Sequence, residues 1–157
     1  MEGVNVEVLF FDLDDTLYDL VSVKKKVERA LLAKVGKMVN LPVKLVYDRF
    51  NAVKKEFYKT YYPCFLIHRK DLLFKRLLRE LGFNNAREEG KKLSEEYWSR
   101  LIMEIKPYWE AKTVLARLKR EGFALGLLTN GLRRIQLLKL RKLGLEGFFD
   151  LVITSED

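Results

Sequence analysis

The residues best equipped for chemistry are Asp12-Leu13-Asp14-Asp15-Thr16, directly after the apolar run Val6-Glu7-Val8-Leu9-Phe10-Phe11. Three carboxylates within four residues repel one another, and a turn that holds them needs a cation or backbone amides to offset the charge. A hard divalent ion, Mg2+ foremost, is the economical answer. In an extended stretch Asp12 and Asp14 project to the same side, so one can attack a reacting centre while the other moves a proton. The same residues also suit a loop or helix cap in which Asp15 and Thr16 satisfy backbone N–H groups. A second group, Leu127-Leu128-Thr129-Asn130-Gly131, ends one apolar run and opens the next helical pattern. A hydroxyl, an amide and a glycine at a helix amino terminus make a cradle for phosphate, because unused N–H groups and the helix dipole favour an anion there. A threonine N-cap followed by a turn glycine is the plain alternative.

Both groups need elements to hold them. The run at 6–11 reads as a strand buried on both faces, as in parallel sheets. From about Ser22 to Ile105 the apolar residues take helical spacing: Val27, Leu31, Val35 and Met38; Val46, Phe50, Val53, Phe57 and Tyr61; Leu73, Leu77 and Leu81; Leu93, Tyr97, Leu101 and Ile105. These are four amphipathic helices, broken at Asn40-Leu41-Pro42, around Tyr62-Pro63-Cys64 and at Gly82-Phe83-Asn84-Asn85. After Pro107 come a helix (Ala111, Val114, Leu115, Leu118), Gly122, a strand over 123–128, a helix (Leu132, Ile135, Leu138, Lys142-Leu143), Gly144 and a strand over 149–153. That alternation predicts parallel strands joined by right-handed crossovers. The expected fold class is therefore α/β: a Rossmann-like parallel core of three strands from 1–17 and 107–157, interrupted by a four-helix insertion over 18–106. Both chemical groups then sit at the carboxyl ends of parallel strands, where open α/β sheets bind ligands.

The chain has 157 residues, 48% apolar and 33% charged, which suits one globular core with an insertion and excludes disordered or collagen-like chains. Nothing approaches a run of 18 apolar residues, and Glu2 and Glu7 stand where a signal peptide would be basic and apolar. A soluble, cytoplasmic protein without a membrane partner is expected. The single cysteine, Cys64, forms no internal disulfide and no cysteine-rich metal cage. The net charge is +8, with 21 basic and 11 acidic residues over 18–106 against 9 and 11 elsewhere. Such a segment would draw phosphate esters or nucleic acid, although solvated helix faces account for it as simply. The aromatic residues recur at core positions and do not interleave with the basic ones as a base-stacking surface would, which argues against nucleic acid as the partner.

The two groups together resemble the haloacid dehalogenase-like (HAD) superfamily. Phe10-Phe11-Asp12-Leu13-Asp14-Asp15-Thr16-Leu17 is similar to its first motif, an apolar run followed by Asp-x-Asp-x-Thr, and Leu127-Leu128-Thr129-Asn130-Gly131 to its second. The insertion resembles the helical cap that many members carry, one that closes over the site and sets specificity. The resemblance implies a Mg2+-dependent phosphohydrolase of small phosphorylated metabolites, or as a near variant a phosphomutase. It implies Asp12 as the nucleophile that becomes an aspartyl-phosphate, and Asp14 as the acid and then the base. Mg2+ would lie on the Asp12 carboxylate and the Asp14 backbone carbonyl, and the phosphoryl group on Thr129, with Asn130 and Gly131 completing the cradle. Family members that dehalogenate carbon centres lack the second aspartate, so Asp14 favours phosphate chemistry. This division suits a reaction accelerated mainly by positioning and charge neutralisation.

The superfamily's third motif, a lysine, and its fourth, acidic residues of the Mg2+ shell, normally follow the third core strand, and no residue here matches them by position. The strand at 6–11 is then expected at a sheet edge, open to a missing C-terminal segment, a partner or a second copy; a catalytically incompetent anion-binding or interaction module is the remaining alternative. His68, Tyr61-Tyr62-Pro63-Cys64-Phe65, Trp98, Trp109 and Lys24-Lys25-Lys26 are read as surface, packing or solvated residues.

Overall fold

The computed structural model describes residues 7–157, so Val6 lies outside the described residues. In chain order the elements are β1 (Val8–Phe11), α1 (Leu20–Met38), α2 (Val43–Tyr61), a 3-10 turn (Phe65–His68), α3 (Lys70–Glu80), α4 (Ala86–Glu104), α5 (Ala111–Arg120), β2 (Ala124–Thr129), α6 (Arg133–Leu143), a second 3-10 turn (Glu146–Phe148) and β3 (Leu151–Thr154). They fall into two compact units: the described part of Met1–Val21 with Ile102–Asp157, and Ser22–Leu101.

In the first unit the three strands form one parallel sheet in the order β1-β2-β3. Phe11 pairs in register with Leu127, and Thr129 with Thr154. The chain turns into β2 and β3 through Gly122 and Gly144, both at positive φ. The following N–H groups, of Phe123 and Leu145, bond back to the carbonyls of Leu118 and Leu140, the closure that a left-handed residue after a helix permits. One sheet face is buried: Leu125 and Leu127 are fully covered, as are Leu115 of α5 and Leu140 of α6. Each such side chain contributes about 1.5–3 kcal/mol on leaving water.

The opposite face carries Val8, Phe10, Leu128 and Leu151, all exposed. The apolar run predicts a first strand buried on both faces, whereas the structure buries only one. β1 and β3 are the two edge strands of the sheet among the described residues.

The second unit is helical, with Val27, Leu31, Leu32 and Val35 of α1, Phe50 and Phe57 of α2, Phe74 and Leu77 of α3, and Leu93 and Tyr97 of α4 buried. Phe50 stacks on Phe74 at 6.2 Å between ring centroids, and Phe74 meets Tyr97 at the same separation. At Gly90 of α4 a Cβ would stand 2.8 Å from the Lys75 backbone nitrogen of α3, so these two helices touch backbone to backbone. Among the described residues no helix is long and apolar enough to cross a membrane.

Candidate functional site

The carboxylate turn begins where β1 ends. Asp12 is exposed, and its Oδ1 accepts the Leu13 N–H at 2.7 Å. The Leu13 carbonyl takes the N–H groups of Thr16 and Leu17, closing one tight turn anchored by the buried Leu13 and Leu17 side chains. Tyr18 bridges to Asp14 on one side and Pro107 on the other, and Tyr108 N–H donates to the Leu17 carbonyl. The turn is thus held by backbone bonds to a segment about ninety residues further along the chain.

The three aspartates meet different fates. Asp15, at φ 59, turns its carboxylate onto the Leu20 and Val21 N–H groups at the start of α1. It is a helix cap, and aspartate is among the few residues that tolerate the left-handed region it occupies. Asp14 points inward: Lys139 Nζ donates to Oδ1 at 2.8 Å and to Oδ2 at 2.9 Å, while the Tyr18 hydroxyl donates to Oδ1. Lys139 is 2% exposed, so this pair lies largely out of water. The charge that the sequence pattern leaves to a cation or backbone amides is therefore offset at Asp14 by a lysine and at Asp15 by two N–H groups, while Asp12, exposed like Asp15, accepts the N–H of its neighbour Leu13.

Thr129 ends β2 with its side chain buried. Its Oγ1 accepts a hydrogen bond from Gln136 Nε2 at 2.8 Å, and the same nitrogen donates to the Asn130 carbonyl at 2.9 Å and reaches Asp14 Oδ2 at 3.4 Å. One amide thus joins the ends of β1 and β2, bringing Thr129 and Asp14 to the same place. Gly131, at φ 144, donates its N–H to Ser155 Oγ, and the Arg133 N–H at the start of α6 goes to the Glu156 carboxylate at 2.7 Å. These two N–H groups of the expected cradle therefore take oxygens from the segment after β3. Asp157 closes that segment. The Thr154 N–H leads in holding its carboxyl below the usual range, joined by the Thr154 hydroxyl and Arg133.

Gln136, Lys139, Tyr18 and Ser155 do not stand out in the sequence. A helical stripe through Leu132, Ile135, Leu138 and Leu143 places Leu138 inward. The observed buried stripe of α6 runs through Ile135, Gln136, Lys139, Leu140 and Leu143, and two polar residues inside an apolar stripe are the signal that could have revealed them.

As a test for a hard divalent cation, the Asp12 carboxylate and the Asp14 carbonyl are both oxygen donors, and Mg2+ commonly uses one or two carboxylates while keeping several waters. The donor chemistry fits. The Asp14 carboxylate itself is occupied by Lys139 and Tyr18. Among the described residues no group of three or more His, Cys, Asp or Glu side chains converges as a metal cage.

A family model for haloacid dehalogenase-like hydrolases matches residues 6–157. The ribulose-1,5-bisphosphate 5-phosphatase of Halopiger xanaduensis is 30% identical over 95% of this chain, and the glyceraldehyde 3-phosphate phosphatase of Methanopyrus kandleri is 28% identical over 97%. The chain spans 63% of the length of each of these relatives. Among solved structures, the HAD-hydrolase YfnB of Bacillus subtilis, bound to magnesium, superposes with a TM-score of 0.69 at 24% identity, over 97% of this chain and 66% of that one. A HAD phosphatase from Thermococcus onnurineus superposes with a TM-score of 0.63 at 25% identity, over 97% and 63%.

Proposed function

The chain belongs to the haloacid dehalogenase-like hydrolases, and from that membership we propose that the protein hydrolyses small phosphorylated metabolites, of the sugar-phosphate class, with Mg2+ through an aspartyl-phosphate on Asp12. The observation that supports this reading best is that Gln136 joins Asp14 to the Thr129 hydroxyl at the ends of two adjacent parallel strands, the first of which leads directly into an exposed Asp12. The names of the relatives, a bisphosphate 5-phosphatase and a triose-phosphate phosphatase, support the substrate class.

In this reading an Asp12 carboxylate oxygen attacks phosphorus as the ester P–O bond breaks, and Asp14, which enters the step protonated, delivers its proton to the departing alcohol oxygen and becomes the carboxylate seen paired with Lys139. Asp14 then takes a proton from water, whose oxygen attacks the same phosphorus, and the Asp12–phosphorus bond breaks to release inorganic phosphate. Thr129 holds one equatorial oxygen of the transferring group, with Asn130 and Gly131 shaping the loop beside it. Mg2+ on the Asp12 carboxylate and the Asp14 carbonyl would neutralise charge on the phosphoryl oxygens.

The test is beryllofluoride, which mimics a phosphoryl group on a carboxylate, added with Mg2+ and followed by 19F NMR. The reading expects a bound signal that disappears in Asp12→Asn. A bound signal that survives this substitution assigns the nucleophile elsewhere and overturns the proposal.

A further inference from the structure

We infer that Gln136 and Lys139, one turn apart on α6, are positioning residues that fix the Thr129 hydroxyl and the Asp14 carboxylate relative to each other; this rests on the roles given above to Asp14 and Thr129. Lys139 donates to both oxygens of Asp14 and lies over the Tyr18 ring at 5.9 Å. Tyr18 is fully buried and donates to Asp14 as well. The carboxylate is thereby gripped on its inner side by two buried groups, which sets its side-chain rotation.

Gln136 acts on the partner strand. The Asn130 carbonyl can only accept, so the atom of Gln136 that faces it is the amide nitrogen, whose two hydrogens go to the nearer acceptors, Asn130 at 2.9 Å and Thr129 Oγ1 at 2.8 Å, with Asp14 Oδ2 a longer contact at 3.4 Å. An oxygen that accepts there turns its own hydrogen elsewhere, so Thr129 is left as a donor, the form that an anionic phosphoryl oxygen requires. Gly131 provides the clearance: a Cβ at this position would stand 3.1 Å from the Gln136 amide carbon. The loop glycine thus serves the amide behind the threonine.

Stability alone does not account for either residue. Both sit in a buried apolar stripe, where a buried ion pair is commonly matched or bettered by apolar side chains of similar size. What an apolar pair could not do is hold a carboxylate and a hydroxyl from two strands in one fixed geometry, and small misplacements of such groups cost about a hundredfold in rate.

The experiment compares Lys139→Met, Lys139→Arg and Gln136→Leu in the full-length protein, reading kcat and KM on p-nitrophenyl phosphate together with the 19F signal of the Mg2+–beryllofluoride adduct. Lys139→Met should lower kcat about a hundredfold with KM within about threefold of the parent. Lys139→Arg, which keeps the donors, should restore most of that loss. Gln136→Leu should weaken the adduct about tenfold and shift its 19F resonances, because one fluorine loses an oriented donor. The inference is overturned if Asp12→Asn abolishes the adduct while Gln136→Leu leaves its spectrum and affinity unchanged. It is equally overturned if Lys139→Met melts earlier yet the folded protein keeps its kcat. Failure of the functional reading shows itself differently, as an adduct that persists in Asp12→Asn. Should Lys139→Met not fold, the 19F comparison of Gln136→Leu with the parent decides.

Discussion

Lys139 Nζ stands 2.8 and 2.9 Å from the two oxygens of Asp14, across 125 residues of sequence. The two partners are unequally buried: the lysine side chain is 3% exposed and the aspartate side chain 22%. Removing one partner from a buried pair leaves the other charge uncompensated, and the more deeply buried survivor suffers more.

Asp14→Ala should therefore destabilise the protein by about 3 kcal/mol, because it strands a buried ammonium. Lys139→Met should cost about half as much, since Asp14 keeps Tyr18 and some water. The double variant should be more stable than the sum of the single losses. Urea denaturation of the four proteins closes this cycle, and strict additivity would show the pair to be energetically idle.

In the proposed reaction Asp12 contributes chemistry and little packing. Asp12→Asn should reduce phosphatase turnover at least about a thousandfold, and its exposure implies a change in stability within about 0.5 kcal/mol. Steady-state kinetics beside a thermal melt separate the two effects.

Asp15 is assigned to structure. Loss of its bonds to the Leu20 and Val21 N–H groups in Asp15→Ala should cost about 1 kcal/mol of stability. Asp15→Asn, which keeps a capping oxygen and tolerates positive φ, should cost less. Denaturant midpoints measure both.

Gly90→Ala should destabilise the Ser22–Leu101 unit by about 1–3 kcal/mol, because the new methyl group meets the Lys75 backbone and two helices must part. Gly147→Ala, with open space around it, is the control and should stay within about 0.5 kcal/mol of the parent.

Asp71 gives an acid-side prediction. The Arg69 side chain, which bonds both its oxygens, holds its carboxyl below the usual 3.8. A depressed folded value means that its contribution is present above the unfolded value and is lost as pH falls through the folded one. Unfolding midpoints should decline below about pH 4, and less steeply in Asp71→Asn than in the parent.

The order of elements was legible in the sequence because each is written in local periodicity. Alternating helices and short apolar runs after Pro107 specify parallel strands, four stretches at helical spacing specify the helices of the insertion, and Gly122 and Gly144 mark the turns into β2 and β3. Family membership was legible for the same reason, since both motifs are contiguous. Tertiary structure decided what no local pattern contains. It separated Asp12, Asp14 and Asp15 into an exposed carboxylate, a half-buried partner of a buried lysine and a helix cap, and it left Val8 and Phe10 uncovered. It also chose the face of α6 that turned Gln136 and Lys139 inward. A charge is neutralised by whatever group lies within a few ångströms, and for Asp14 that group arrives from a helix more than a hundred residues away.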